Sequence, residues 1–203
     1  MNIDILTSII YNSIMLSPLF TDGVWNTSFK TDLKDYCDFI RNNDKGRVLS
    51  NNGGYQSNDV NIKEPLLQPL IQHIETQTNN YSKLFNCKDN SFKVDNLWIN
   101  INGFKDTNEE HTHTGCMFSG VYYVHTPKDC GDIEFTKLSI HMMATDWADS
   151  VTSFNSFNSG RWNVPASQHT CYIFPSYYIH RVQPNLNPNE KRYSISFNLS
   201  LNP

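Results

Sequence analysis

A chain of 203 residues with 38% hydrophobic, 13% aromatic and 18% charged residues is long enough to bury one sizeable core, and its aromatic content argues against disorder. Its formal net charge of −4, from 16 Lys and Arg against 20 Asp and Glu, removes the usual electrostatic basis for binding nucleic acid. The five cysteines, Cys37, Cys87, Cys116, Cys130 and Cys171, are odd in number and contain no Cys-x-x-Cys, which fits a reducing compartment, the cytoplasm, better than a disulfide framework.

From the N-terminus, the run Ile3 to Phe20 is fairly apolar, but Asp4 stands where a signal peptide needs positive charge. A strand and a turn at Pro18 are expected there, not a membrane segment. Three Asn-x-Ser/Thr triplets, at Asn26, Asn80 and Asn198, are what chance supplies in an Asn-rich chain. Thr31 to Arg41 places Leu33, Tyr36, Cys37 and Ile40 on one helical face, with Thr31 or Asp32 as the cap. Residues 42–61 are turn formers throughout and read as a lid or a disordered connector, with the lid preferred. A second helix is expected from Pro65 to Phe85, with Leu67, Leu70, Ile71, Ile74, Thr78 and Tyr81 facing a sheet and His73 a packing or surface residue.

From about Val94 the period changes. Leu97, Ile99 and Ile101 alternate with Trp98, Asn100 and Asn102, the mark of a strand with one oily and one partly polar face. Strand signals recur at Phe118–His125, Asp132–Phe135, Thr170–Phe174, Ile179–Val182 and Arg192–Leu199, so the core is expected to be β. Residues 137–165 read as an insertion with one or two short strands able to cover a pocket mouth. No linker divides the chain, and a single domain over 1–203 is expected, with a helical and loop part to about 93 and a β core over about 94–203.

Two features carry chemistry. In His111-Thr112-His113, residues two apart on a strand point to one face with Cα atoms roughly 6.6 Å apart at about 3.3 Å per residue, so both imidazoles could reach one metal. Near the C-terminus, Pro184, Asn185, Asn187, Pro188 and Asn189 make a reversing loop, and the flanking segments are expected to pair as a hairpin with Val182 opposite Arg192. His180, Arg192, Ser194 and Ser196 would then share one face, and Tyr193, Ile195, Phe197 and Leu199 the other. An inward Arg is costly unless paired. Its partner is expected to be an anionic ligand, or else Asp132 or Glu134 across the barrel.

His111-x-His113, the distant His180 and Arg192-x-Ser194 together resemble the 2-oxoglutarate- and Fe(II)-dependent oxygenases, in particular a group common in phages and marine bacteria. Gly53-Gly54-Tyr55-Gln56-Ser57, Trp98-Ile99-Asn100, Ser119-Gly120-Val121-Tyr122-Tyr123 and Phe174-Pro175 add to the resemblance, which covers most of the chain from about residue 50. It implies a mainly β fold, a double-stranded β-helix or jelly roll with two or so N-terminal packing helices. It also implies Fe(II) as the metal, 2-oxoglutarate as co-substrate, O2 as oxidant, and hydroxylation of a substrate that the sequence does not name.

By the same resemblance His111 and His180 are two metal ligands, while Arg192 with Ser194 holds the far carboxylate of 2-oxoglutarate. Tyr123 stands where related enzymes place a tyrosine on that carboxylate, and Asn100 is a candidate for the near end of the co-substrate. His113 departs from the pattern, since an acidic residue there usually completes a 2-His-1-carboxylate set. Either His113 is the third ligand, or Glu109, Glu110, Asp132 or Glu134 supplies a carboxylate. His125, His141 and His169 are assigned no role. Other readings of three histidines are a zinc hydrolase or lyase, which has no need of Arg192-x-Ser194, and a non-catalytic metal-binding jelly-roll module. Oligomeric state is left open, and a phage origin would place the protein in the host cytoplasm.

Overall fold

The computed structural model describes residues 21–87, 91–137 and 152–201, with the backbone of two short paired strands, β1 (Ile10–Tyr11) and β2 (Ile14–Met15). The turn expected at Pro18, His141 and residues 138–151 of the expected insertion lie outside the described residues.

Two antiparallel sheets face each other. The larger has six strands in the order β3 (Trp25–Ser28), β11 (Thr170–Pro175), β8 (Phe118–His125), β13 (Arg192–Leu201), β6 (Phe92–Asn102) and β5 (Tyr55–Gln56). The smaller has five, in the order β10 (Arg161–Val164), β9 (Ile133–Thr136), β12 (Ile179–Val182), β7 (Thr107–His111) and β4 (Asn51–Asn52). This is the double-stranded β-helix that the resemblance implies.

The larger sheet has two working faces because its strands alternate. Leu97, Ile99, Ile101, Tyr122, Cys171, Ile173, Ile195 and Phe197 point to one side, where they pack with Leu33, with Cys37 of helix α1 (Lys34–Asn43) and with Leu70 and Ile74 of helix α2 (Gln68–Ser82). Val121, Tyr123, Tyr172 and Phe174 point to the other side and meet Ile133 of the smaller sheet. Both expected helices are present. Helix α1 begins later than its expected cap; Leu33 precedes it without a side-chain cap, and the Asp32 carboxylate accepts from the Lys34 N–H instead. His73 is a packing residue, stacked on Phe29 with ring centroids 4.7 Å apart.

Three expectations need correction. First, β12 and β13 do not form a hairpin: β12 pairs with β7 and β9, and β13 with β6 and β8. The loop between them crosses from one sheet to the other, and the buried Asn185 pins it by donating to the carbonyls of Asn102 and Glu190. Val182 therefore does not face Arg192. Second, residues 42–61 are neither lid nor connector. Arg47 bridges Gln56, β4 extends the smaller sheet and β5 the larger, so the segment ties the two sheets at one edge. Gly53 and Gly54, at φ +73° and +64°, form the corner, where a Cβ on Gly53 would overlap the Asp106 carboxylate. Third, the His111–His113 pair does not share a strand, because β7 ends at His111. The one short strand described within 137–165, β10, pairs with β9 at the sheet edge.

Candidate functional site

His111 arrives on β7 and His180 on β12, in directly facing positions of the pairing. Between His180/His111 and Val182/Asn108, β7 carries one residue more than β12. This bulge turns Asn108 and His111 to the same side, toward the larger sheet. His113 follows the strand end, and its N–H donates to the Ser176 carbonyl at 2.9 Å. The ring centroids lie 4.4 Å apart for His111 and His180, 5.1 Å for His111 and His113, and 5.2 Å for His113 and His180. One ring nitrogen from each lies within 4.8 Å of the others. A metal with bonds of about 2.0–2.1 Å would bring such atoms to roughly 3–3.4 Å of one another, so the rings would draw together on binding.

Each imidazole has its Nδ1 against an oxygen. His111 Nδ1 lies 2.6 Å from the Glu109 carbonyl, His180 Nδ1 2.9 Å from the Tyr178 carbonyl, and His113 Nδ1 2.6 Å from Asn198 Oδ1. A carbonyl or amide oxygen only accepts, so Nδ1 carries the proton and Nε2 keeps its lone pair. Burial holds all three imidazoles below their ordinary pKa, His180 most strongly, at about 3, with the neighbouring His111 adding to the effect. Neutral, Nε2-exposed imidazoles are the form a metal takes.

No carboxylate joins them among the described residues. Glu134 lies on the opposite face of β9, where Arg181 donates to it at 2.7 Å and Arg161 stands at 3.5 Å. Glu110 accepts from Thr136 Oγ1, Glu109 from Asn52, and Asp132 from the Ala166 N–H. Of the two alternatives left by the sequence, the histidine-only set is the one assembled.

Beside the imidazoles runs a polar row in the larger sheet. In register across four strands, Gln56 faces Asn100, Asn100 faces Ser194 and Ser194 faces Tyr123, with Arg47 bridging Gln56 at the outer end. Arg192 lies two residues before Ser194 and is 1% exposed. Its Nη1 donates to the carbonyls of Cys130, Gly131 and Gln183, but no carboxylate among the described residues pairs with it, and burial lowers its pKa. The expected ion pair with Asp132 or Glu134 is not formed.

The buried side-chain atoms lacking a hydrogen-bond partner among the described residues are Arg47 Nε, Gln56 Oε1, Asn100 Oδ1, Tyr123 OH, and Arg192 Nε and Nη2. All belong to this row or to the arginine at its side. Orphaned buried polar groups are rare and costly, so their concentration in one place marks a surface made for a polar ligand or ordered water.

His111, His113, His180, Asn100, Tyr123 and Ser194 line one cavity of about 40 Å³, with Trp98, Val121, Ile133 and Phe174 among its apolar walls. That is space for a few waters, so a five-carbon diacid enters only if lining side chains move. Arg192 is not among the residues that line it. A larger open groove of about 1180 Å³ lies beyond Asn108 and Val182 and carries none of the three imidazoles.

Asn198, which orients His113, went unrecognised as a site residue in the sequence. It sits on the same face of β13 as Ser194 and Ser196, and that alternation was the one signal that could have found it. Ser119, its partner in β8, donates to the same Oδ1 at 2.9 Å. Of the histidines assigned no role, His125 lies 3.4 Å from Glu190, and His169 meets the Tyr122 hydroxyl at 3.0 Å.

Solved structures share the fold. A prolyl-4-hydroxylase from Pseudomonas putida superposes with a TM-score of 0.62 at 12% identity, over 90% of this chain and 95% of that one. A 2OG-Fe(II) oxygenase family oxidoreductase from Burkholderia pseudomallei gives 0.57 at 10% identity, over 87% and 85%. The α-ketoglutarate-dependent epimerase SnoN of nogalamycin biosynthesis gives 0.61 at 14%, over 88% and 78%. No curated protein matches the sequence significantly. The family described as "Putative 2OG-Fe(II) oxygenase" matches residues 96–198, slightly more than half of the chain and the stretch that holds the three histidines, the polar row from Asn100 to Tyr123, and Arg192. The chain therefore belongs to this family of oxidoreductases, whose members work with Fe(II) and 2-oxoglutarate.

Proposed function

We propose that His111, His113 and His180 hold the Fe(II) through Nε2, that Arg192 with Ser194 and Tyr123 holds the far carboxylate of 2-oxoglutarate, and that the protein hydroxylates a substrate carbon. The observation that carries this reading is that three neutral imidazoles share one cavity with Asn100, Ser194 and Tyr123, while Arg192, two residues before Ser194, is buried with Nε and Nη2 unpartnered among the described residues. The donor set fits both groups: free Nε2 lone pairs suit a divalent metal, and Arg192 Nε and Nη2 offer a carboxylate two parallel donors. Asn100 is proposed for the near end of the co-substrate through its Nδ2, the donor of the amide, which in the ligand-free protein donates to Ser196 Oγ at 3.0 Å.

When bound, metal and co-substrate supply the oxidation itself. This chain's residues do the rest. The Glu109 and Tyr178 carbonyls and Asn198 keep each Nε2 turned inward. Arg192 and the Tyr123 hydroxyl bind and orient a diacid along the polar row. Val121, Ile133 and Phe174 limit water around it. A zinc hydrolase would use the same imidazoles but leaves Arg192 and Tyr123 without a purpose.

All five cysteines are free thiols, which supports a reducing, cytoplasmic setting. No helix among the described residues is long and apolar enough to cross a membrane. Residues 1–203 are proposed to work as one domain. The reading is tested by uncoupled turnover: purified protein with Fe(II), O2 and 2-oxoglutarate should release succinate slowly without added substrate, and His180→Ala should not. Release of no succinate by either protein, with the wild type loaded with iron, would count against it.

A further inference from the structure

The three oxygens that receive the imidazole Nδ1–H groups are all uncharged. Two are backbone carbonyls, of Glu109 and Tyr178, and the third is the side-chain amide of Asn198. Metal-bound histidines are often backed by a carboxylate, which raises the basicity of the ring and holds the metal more firmly. Here neither the ligands nor their backing groups bring negative charge. Asn198 is the one side chain among the three backing groups, so it is where the protein sets that charge.

Asn198 is also held in one orientation. It faces Ser119 in the β8–β13 pairing, and the Ser119 hydroxyl donates to its Oδ1 at 2.9 Å. The Cys116 thiol lies 3.6 Å from Ser119 Oγ, within reach to donate to it, which leaves the hydroxyl hydrogen for Asn198. With Oδ1 so directed, His113 presents its Nδ1–H to the amide and its Nε2 to His111 and His180. Turned over, the amide would offer an N–H to Nδ1, and His113 would carry its proton on the nitrogen that faces the other rings.

We infer that Asn198 is a positioning residue that keeps His113 in its metal-binding tautomer and leaves the centre with no negative charge from the described residues, so that firm metal retention depends on the dianionic co-substrate. The inference rests on the three-histidine reading above. Its consequence is positive coupling: 2-oxoglutarate tightens metal binding, and metal tightens 2-oxoglutarate binding by the same factor.

The test measures Co(II) and Fe(II) affinity without oxygen, with and without 2-oxoglutarate, in full-length wild type, Asn198→Asp, Asn198→Leu and His113→Ala, with folding checked by circular dichroism. Asn198→Asp should tighten metal binding in the absence of 2-oxoglutarate by roughly 10-fold, shrink the further gain that 2-oxoglutarate gives, and shift the visible spectrum of the Co(II) protein. Asn198→Leu should weaken metal binding by roughly 10–100-fold. If Asn198→Asp is folded and keeps wild-type affinity, coupling and spectrum, the inference is overturned. It decides alone should Asn198→Leu fail to fold, since Asp has nearly the shape of Asn. If His113→Ala binds metal as the wild type does, the three-histidine reading fails first and takes the inference with it.

Discussion

His180 stands opposite His111 across the β12–β7 pairing, with ring centroids 4.4 Å apart. A β-bulge in β7 keeps Asn108, three residues before His111, on the same face. The facing of His111 and His180 is thus set by strand register in the smaller sheet, while the polar row, and Asn198 against His113, are set by register in the larger one.

The Tyr123 hydroxyl is fully buried and has no partner among the described residues. Leaving it unpaired costs more than removing it. Tyr123→Phe is therefore expected to raise the stability of the ligand-free protein by about 1 kcal/mol while weakening 2-oxoglutarate binding several-fold. Urea unfolding and calorimetric titration of 2-oxoglutarate into metal-loaded protein measure the two effects, and a loss of stability without change in affinity would remove Tyr123 from the co-substrate site.

Arg192 offers Nε and Nη2 as a fork, which a lysine cannot reproduce. Arg192→Lys keeps the charge and is expected to weaken 2-oxoglutarate binding by roughly 10-fold or more with metal affinity in its absence unchanged. Equal binding of 2-oxoglutarate by both proteins would place the carboxylate elsewhere.

Gly120 lines the cavity wall, and a Cβ there would overlap the Phe197 ring and the Tyr172 carbonyl. Both neighbours are fixed, one by the helix-side core and one by sheet pairing. Gly120→Ala is expected to destabilise the fold by about 1–3 kcal/mol, read as a lower melting temperature. An unchanged melting temperature would mean that β8 and β11 can separate more easily than their pairing suggests.

On the outer face of the smaller sheet, burial alone would raise the pKa of Glu134, but hydrogen bonds from Arg181 and Gln183, with the charges of Arg181 and Arg161, hold it below the ordinary value. A carboxyl lowered on folding contributes stability above its unfolded pKa and loses it as pH falls through the folded one. Wild type should therefore lose stability on acidification from pH 5 downward more steeply than Glu134→Gln, with the gap largest near neutrality. Both arginines are half-exposed, so the effect is modest and shrinks with salt. Parallel acid limbs in denaturant titrations of the two proteins would contradict this. Metal affinity should not change, because Glu134 faces away from the imidazoles.

The strands with period-two alternation were legible in the sequence. Leu97, Ile99 and Ile101 go to the helix-side core, and Trp98, Asn100 and Asn102 line the cavity, as their alternation predicts. The inward face of β13 was legible too, although through a hairpin that does not exist. Closeness in sequence favours a local turn, and nothing in residues 183–191 announces that Asn185 anchors a crossing between sheets. Strand β7 was hidden because Thr107, Asn108, Glu109 and Glu110 offer no apolar alternation, and its bulge breaks any period. The pairing of β4 and β5 was hidden for a related reason: Asn and Gly carry turn propensity, whereas their sheet contacts are non-local. Nothing local in the sequence marks Asn198 beyond its Asn-x-Ser triplet, since its hydrogen bond to His113 joins residues far apart in the chain.

The most direct test is an anaerobic titration of the full-length protein with Fe(II) and 2-oxoglutarate, followed by visible absorption. Chelation of the metal by the keto acid should produce a weak charge-transfer band that is absent in His180→Ala and weakened in Arg192→Ala. No band from wild-type protein, together with tight zinc binding, would contradict the assignment of these residues to iron and 2-oxoglutarate.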